Sequence, residues 1–163
     1  MEFKKEEHNE QIKEAIMEVN WDRIDTGVEW VMIPFKIGGF AADSGLTGRK
    51  NVLPYGPQIP TGGGAFSGKD PTKVDRSGAY MARNLAIRYL KDENLKECLV
   101  KLAFVIGNPL PVMATVNGRD IPVMTGVKDI IEAFGLREPI YKKASIEGHF
   151  GNPELPWEKY VES

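Results

Sequence analysis

The sequence predicts an α+β protein, in which helices alternate with strands and hairpins join some of the strands. Two kinds of pattern support this class. Apolar residues recur at helical spacing within residues 6–19 and again within residues 74–89. Short runs rich in β-branched and aromatic residues, bounded by Gly, Pro and Asn, lie between and after these segments and are typical of strands.

The first predicted elements are a helix and a strand. Residues 6–19 form an amphipathic helix whose apolar face is Ile12, Ala15, Ile16 and Val19. A turn over 21–26 leads to a strand over 28–37, in which Pro34 indicates an edge or a bulge.

A long segment, residues 38–68, has little regular pattern. It holds eight glycines before Gly68, and prolines at 54, 57 and 60. A stretch of this kind inside a compact protein is usually either functional or disordered. Both interpretations stay open, although the hydrophobic pieces at 40–42 and 52–55 favour function.

Strong local sequence signals mark where the following elements begin and end. A helix is predicted to begin with Asp70 as its N-cap and Pro71 at its first position, and its apolar stripe is Val74, Gly78, Met81, Leu85 and Tyr89. A buried strand over 99–106 precedes a hairpin, in which Asn117-Gly118 joins strands over 111–117 and 121–124. The last predicted elements are a helix over 127–134 stopped by Gly135, a strand over 140–146 and an aromatic tail.

Composition excludes several classes of function. The net charge of -2 argues against binding to nucleic acid or to an anionic membrane surface. Cys98 is the only cysteine, so an internal disulfide is impossible and a reducing cytoplasm is the expected location. It lies in an apolar run, which predicts a buried, inert thiol. We find neither a signal peptide nor an apolar run near the ~20 residues of a membrane span.

Positive charge is concentrated in residues 47–76, which have a net charge of +3. The segment contains two acidic residues, Asp70 and Asp75, and a basic cluster of five: Arg49, Lys50, Lys69, Lys73 and Arg76. The cations flank glycines, which favours a small anionic ligand over a solvated face. We name residues 62–69 (Gly-Gly-Gly-Ala-Phe-Ser-Gly-Lys) the glycine-rich loop. Its backbone amides, followed by a helix N-terminus, are suited to an anion. Lys69 and Lys73 are expected to reach one polyphosphate, and Asp75 is a candidate Mg²⁺ ligand.

A true P-loop is not expected here. Gly63 to Lys69 satisfies most of that pattern, but Asp70 stands where Ser or Thr would hold the metal, and no apolar strand directly precedes the glycines. From the residues alone, nucleotide or polyphosphate binding and a merely structural glycine-rich loop both remain open.

Residues 62–76 closely resemble the signature of S-adenosylmethionine synthetases. Four further stretches agree in the same order: Phe35-Lys-Ile-Gly-Gly, the segment from Asp43 to Lys50, Ala79-Tyr-Met-Ala-Arg83, and residues 148–159. The resemblance implies βαβ-type repeats with a mixed sheet backed by helices. It also implies that residues 1–33 are a remnant of the family's central domain and that 34–163 are its C-terminal domain.

In this family the sulfur of methionine attacks C5′ of ATP and expels triphosphate, which is hydrolysed to diphosphate and phosphate. By resemblance, Phe35 stacks on adenine, Asp43 places methionine or adenosine, and Arg49 and Lys50 bind the phosphates. The loop residues Gly62, Gly63, Gly64, Ala65 and Ser67 contact the substrate, Lys69 and Lys73 hold the triphosphate, and Asp75 binds Mg²⁺. A K⁺ requirement, common among relatives, stays open.

The resemblance covers only the later part of the family's pattern, and the first-half motif His-Pro-Asp-Lys is not found. His8, for example, is followed by Asn9. We therefore expect a split synthetase that uses ATP and methionine together with a second polypeptide carrying the first half, or self-association. The alternatives are a non-catalytic, triphosphate-binding or regulatory relative, a decayed fragment and a stand-alone triphosphatase. His149 and Trp157 are expected to be structural.

Overall fold

The computed structural model describes residues 64–122 and 125–160, together with five helical positions at 10, 11, 14, 15 and 18. The chain divides into two compact units, Met1–Ser44 and Gly45–Ser163. The five helical positions agree with the helix predicted over 6–19, although Ala15, assigned to its apolar face, is exposed. The turn over 21–26, the strand over 28–37 and the loop before residue 64 lie outside the described residues.

The longest described helix, α1, spans Val74–Asp92. Its buried residues include Gly78, Met81 and Leu85, which confirms the predicted apolar stripe. The predicted start was wrong, because the N-cap is Lys73 and not Asp70. The Asp70 carboxylate instead accepts hydrogen bonds from the Thr72 amide, at 2.9 Å, and from the Thr72 hydroxyl, so it stabilises a separate turn just before the helix.

Three antiparallel strands follow: β1 (Val100–Ala103), β2 (Met113–Val116) and β3 (Arg119–Asp120), in the order β1-β2-β3. Asn117 and Gly118 both have positive φ, 49° and 81°, so they form the predicted tight turn. The α+β class is confirmed. All described strand pairs are antiparallel, so the parallel pairs of the expected mixed sheet would have to involve residues outside this part of the chain.

Both hairpin strands and β1 are shorter than predicted. The strand expected over 99–106 was also expected to be buried, but β1 is only partly buried and Ile106 is 84% exposed. β1 ends at Ala103, and a turn follows in which Gly107 has a φ of +90°. β3 consists of two residues, so residues 121 and 122 of the strand predicted over 121–124 lie beyond its end.

Helix α2 spans Val127–Ala133 and is followed by Gly135 at φ 59°, as predicted. Helix α3 spans Tyr141–Glu147, where a strand was predicted, so that prediction was wrong. Ile and Tyr gave this segment its β-like composition, but Ile146 is 74% exposed. Tyr141 contacts Arg76 and Ala144 is fully buried, and this helical spacing of inward-facing residues decides the conformation.

We name residues 148–160 the C-terminal tail; it ends after a 3-10 helix, Pro156–Glu158. Helix α1 packs against β1, α2 and this 3-10 helix. Trp157 is fully buried and its ring stacks on Tyr80, 3.5 Å between centroids, which confirms its predicted packing role. None of the described helices is long and apolar enough to cross a membrane. The buried core cluster consists of Phe66, Tyr80, Met81, Leu85, Ile130, Ile131, Phe134, Leu136, Ala144, Leu155 and Trp157.

Candidate functional site

The glycine-rich loop runs directly into the turn before α1. Of the predicted site residues, the structure describes Gly64, Ala65, Ser67, Lys69, Lys73 and Asp75. Phe35, Asp43, Arg49, Lys50, Gly62 and Gly63 lie outside the described residues, and their assigned roles stay predictions. Gly64, Ala65, Ser67 and Lys69 are all half-buried, and Gly68 between them is exposed.

Lys69 and Asp75 meet at the junction of the loop and α1. The Lys69 ammonium donates to Asp75 Oδ2, and the two side chains keep 27% and 40% of their accessible surface. A partly exposed ion pair of this kind contributes little to folding stability. Each residue of this pair can exchange its partner for a ligand. A phosphate can take the place of the carboxylate beside Lys69, and a cation can take the place of the ammonium beside Asp75.

Gly64 lies against the same carboxylate. A Cβ placed on Gly64 would be 2.1 Å from Asp75 Oδ1 and 2.6 Å from Asp75 Cβ, which no side chain can accommodate without movement of the backbone. The absence of a side chain at Gly64 therefore allows the loop to approach Asp75 closely. Steric clash with Asp75 therefore restricts this position to glycine.

Lys73 lies one turn from Lys69 but has a different acidic partner. Its ammonium is 3.9 Å from Asp70 Oδ2, and the Lys73 side chain is 58% exposed. Hydrogen bonds from the Thr72 hydroxyl and amide hold the pKa of Asp70 below its usual value, so Asp70 stays ionised beside Lys73. The two lysines thus occupy separate ion pairs in this structure, and their joint binding of one polyphosphate stays a prediction.

Arg76 is the residue that sequence reasoning misjudged. It was counted with the basic cluster, yet it is only 3% exposed. Its guanidinium donates to the carbonyl oxygen of Phe66, at 3.2 Å, and to that of Lys69, and lies 3.8 Å from the ring centroid of Tyr141. Arg76 therefore holds the glycine-rich loop at two places through backbone hydrogen bonds. No feature of the sequence distinguished it from its exposed neighbours.

Behind the loop lies an aromatic cluster formed by Phe66, Tyr80, His149, Phe150 and Trp157. The Phe66 ring makes edge contacts with Tyr80, His149 and Phe150, at centroid distances of 5.8, 5.0 and 5.9 Å. His149 Nδ1 is 2.7 Å from the Tyr80 hydroxyl. Burial, and secondarily the charge of Arg76, lowers the pKa of His149, while burial raises the pKa of Tyr80 well above its usual range.

The donor set is compatible with Mg²⁺ only in part. Within the described residues, no group of three His, Cys, Asp or Glu side chains is placed to hold a metal ion. Asp75 supplies one partly exposed carboxylate. Because Mg²⁺ is commonly held by one or two carboxylates together with phosphates and water, the single carboxylate of Asp75 beside the glycine-rich loop is compatible with part of such a site.

Fold and site together define an α+β domain with a glycine-rich loop, an ion pair and a buried arginine at the start of its longest described helix. Residues 37–126 match the family described as S-adenosylmethionine synthetase, C-terminal domain. The chain therefore belongs to the S-adenosylmethionine synthetase family, within which it corresponds to the C-terminal domain.

Individual relatives agree with this assignment. The chain is 44% identical over 140 residues to the S-adenosylmethionine synthase of Treponema denticola, covering 77% of this chain and 36% of the relative. It is 42% identical over 153 residues to that of Thermus thermophilus, covering 83% and 39%. A solved S-adenosylmethionine synthetase from Campylobacter jejuni superimposes with a TM-score of 0.57 at 33% identity, covering 64% of this chain and 32% of that structure. The chain thus spans less than half the length of these relatives.

Proposed function

We propose that this chain supplies the triphosphate-binding part of an S-adenosylmethionine synthetase active site, which makes S-adenosylmethionine from ATP and methionine. The observation that carries the proposal is the convergence of Lys69 and Asp75 on the glycine-rich loop at Gly64. The family membership supports it, because the relatives that match are named for this synthase activity.

The chemical task is to stabilise a highly charged leaving group. When the sulfur of methionine attacks C5′ of ATP, negative charge accumulates on the departing triphosphate, and fixed cations lower the energy of that state. Lys69 and Lys73 hold phosphate oxygens from the helix end, and the loop amides of Gly64, Ala65 and Ser67 donate to them. Arg76 contributes indirectly, because it holds the loop at the carbonyls of Phe66 and Lys69.

Asp75 is the described residue that holds Mg²⁺ in this proposal. Bound Mg²⁺ supplies charge neutralisation on phosphate oxygens. Asp75 now pairs with Lys69. If Asp75 held a cation, the Lys69 ammonium would be free to bind phosphate.

The remaining assignments follow the family resemblance. Phe35 stacks on adenine, Asp43 places methionine or the adenosine, Arg49 and Lys50 bind phosphates, and Gly62 and Gly63 extend the loop. The further metal-binding groups, the proton-handling groups and the other substrate contacts come from a polypeptide that carries the family's N-terminal half. We propose that the active site forms when this chain associates with such a polypeptide.

The test is to assay S-adenosylmethionine formation and triphosphate hydrolysis by the chain alone and after co-expression with a polypeptide carrying the N-terminal half. We expect turnover by the pair. Lys69→Ala in the chain should reduce turnover by about 100-fold or more, since it removes a charge-assisted contact to the leaving group.

The matched control is Lys128→Ala, because the Lys128 side chain is 85% exposed in α2 and pairs with Glu132 of the same helix. That variant should leave turnover unchanged. Binding of tripolyphosphate without turnover, alone or with the N-terminal half, would instead support the non-catalytic or regulatory relative. Equal turnover by wild type and Lys69→Ala would contradict the site assignment.

A further inference from the structure

We propose that His149 of the C-terminal tail is a positioning residue for the glycine-rich loop, acting through its contacts with Tyr80 and Phe66. The inference rests on the proposed function for its catalytic meaning, because the loop it positions is the proposed triphosphate-binding element. Its structural content, that the tail determines the order of the loop, can be tested without any substrate.

The tail is fixed to one face of α1 at three neighbouring positions. The Trp157 ring stacks on Tyr80 with an interplanar angle of 6°. The Arg83 guanidinium forms a bidentate pair with Glu158, at 3.0 and 2.9 Å. The Asn84 amide donates to the carbonyl oxygens of Trp157 and Lys159, at 3.1 and 3.0 Å. Tyr80, Arg83 and Asn84 have the i, i+3, i+4 spacing of a single helix face.

His149 links this fixed tail to the loop. Its carbonyl oxygen accepts a hydrogen bond from Trp157 Nε1 at 2.7 Å, which holds the start of the tail against its end. The imidazole contacts both Tyr80 and Phe66, with Nδ1 2.7 Å from the Tyr80 hydroxyl and the ring centroid 5.0 Å from that of Phe66. Removal of the imidazole would therefore open a space next to Phe66, which among loop residues 64–69 is the one with a buried side chain.

The chemistry of the pair supports a fixed geometry. Burial favours the neutral imidazole and the protonated phenol, and one hydrogen bond joins the Tyr80 hydroxyl to His149 Nδ1 in either tautomer of the neutral imidazole. Among the described residues, Arg76 is the charged group whose electrostatic effect on His149 is resolved. Because Arg76 also donates to the Phe66 and Lys69 carbonyls, the loop is held from the helix side by Arg76 and from the tail side by His149.

Loop order is the direct readout. We expect His149→Ala to accelerate amide hydrogen exchange at residues 64–69 by about tenfold, since it leaves a buried hydroxyl unpaired and a cavity beside Phe66. Exchange in β1 and β2 should stay as in wild type. His149→Asn should restore much of the protection, because its amide places a hydrogen-bonding atom where Nδ1 lies.

A matched control separates positioning from general destabilisation. Ile130→Val trims a fully buried side chain in α2 at a cost typical of core truncations. It should not accelerate exchange selectively at 64–69. Unchanged loop exchange in His149→Ala, or acceleration spread evenly over the chain, would overturn the proposal.

The functional consequence is measured separately, as binding of tripolyphosphate with Mg²⁺ to the full chain. We expect His149→Ala to weaken binding about tenfold and His149→Asn to restore it. If wild type binds no tripolyphosphate, the proposed function fails while the exchange experiment still decides the role of His149. If wild type binds and His149→Ala binds equally well, the positioning role is overturned.

Discussion

The Lys69 ammonium and the Asp75 carboxylate form an ion pair across the junction between the glycine-rich loop and α1. The proposed function assigns opposite ligands to these two groups, phosphate to the lysine and Mg²⁺ to the aspartate. Without ligand, the charges of Lys69 and Asp75 therefore neutralise each other. Binding of a polyphosphate has to replace a carboxylate with phosphate oxygens, and a cation on Asp75 favours that exchange.

The first prediction concerns this exchange. Asp75→Asn removes the competing carboxylate, so without divalent cation the variant should bind tripolyphosphate up to about fivefold more tightly than wild type. With Mg²⁺ the order should reverse, because only wild type can hold the cation. Isothermal titration calorimetry of both proteins, with and without Mg²⁺, measures the two effects. An identical Mg²⁺ dependence in both proteins would rule out a metal at Asp75.

The second prediction concerns Gly64. Gly64→Ala should displace Asp75, since the new Cβ would lie 2.1 Å from its Oδ1. We expect a loss of about 1–3 kcal/mol in the free energy of unfolding and at least about tenfold weaker tripolyphosphate binding. Urea denaturation and calorimetry measure these quantities.

Gly107→Ala is the matched control for Gly64→Ala. Gly107 has a φ of +90° and open space where a Cβ would lie, so alanine there strains the backbone without a clash. Its effect should be limited to stability, with tripolyphosphate affinity unchanged. Normal binding by Gly64→Ala would mean that the close approach to Asp75 has no role in the site.

The third prediction concerns Arg76. Arg76→Lys keeps the charge but cannot donate to both loop carbonyls or cover the Tyr141 ring, so the free energy of unfolding should fall by about 2 kcal/mol. Exposed Arg137→Lys should change it by less than about 0.5 kcal/mol. Urea denaturation compares the two. Equal stability of Arg76→Lys and wild type would contradict the burial and bonding described for Arg76.

Sequence patterns predicted the parts of the fold that depend on local periodicity and turn chemistry. The stripe of α1 and the tight turn at Asn117-Gly118 are examples, since each is determined by residues close in the chain. The start of α1 was misplaced because Asp-Pro suits both a helix N-terminus and an isolated turn. Whether the Asp70 carboxylate caps Thr72 or the helix itself is decided by a few backbone dihedrals that the residue types do not specify.

The elements that were missed depend on distant contacts. Helix α3 was predicted as a strand because of its Ile and Tyr, although its Lys, Ala and Glu residues favour a helix; burial of Ala144 and the contact between Tyr141 and Arg76 agree with the helix. The same holds at the candidate site. Lys69 and Asp75 were identified from the motif, but the burial of Arg76 requires Tyr141 and the loop carbonyls, which only the folded chain brings together.

The fourth prediction concerns pH. The pKa of His149 lies below its ordinary value of 6.5 in the folded chain, so below that pH the unfolded state binds more protons. The free energy of unfolding should therefore fall as the pH drops below about 6.5, by at most about 1.4 kcal/mol per pH unit, until the folded pKa is reached. Denaturation of wild type and His149→Asn between pH 5 and 8 isolates this contribution, since His8 is common to both. Parallel curves would contradict a depressed pKa at His149.

The claim on which the account depends is that the glycine-rich loop and its lysines bind a chain of phosphates. The most direct measurement is calorimetric titration of the full chain with tripolyphosphate and Mg²⁺, comparing wild type, Lys69→Ala and Lys128→Ala. We predict a dissociation constant about 10- to 100-fold higher for Lys69→Ala and unchanged for Lys128→Ala. Equal affinity in wild type and Lys69→Ala would contradict the account.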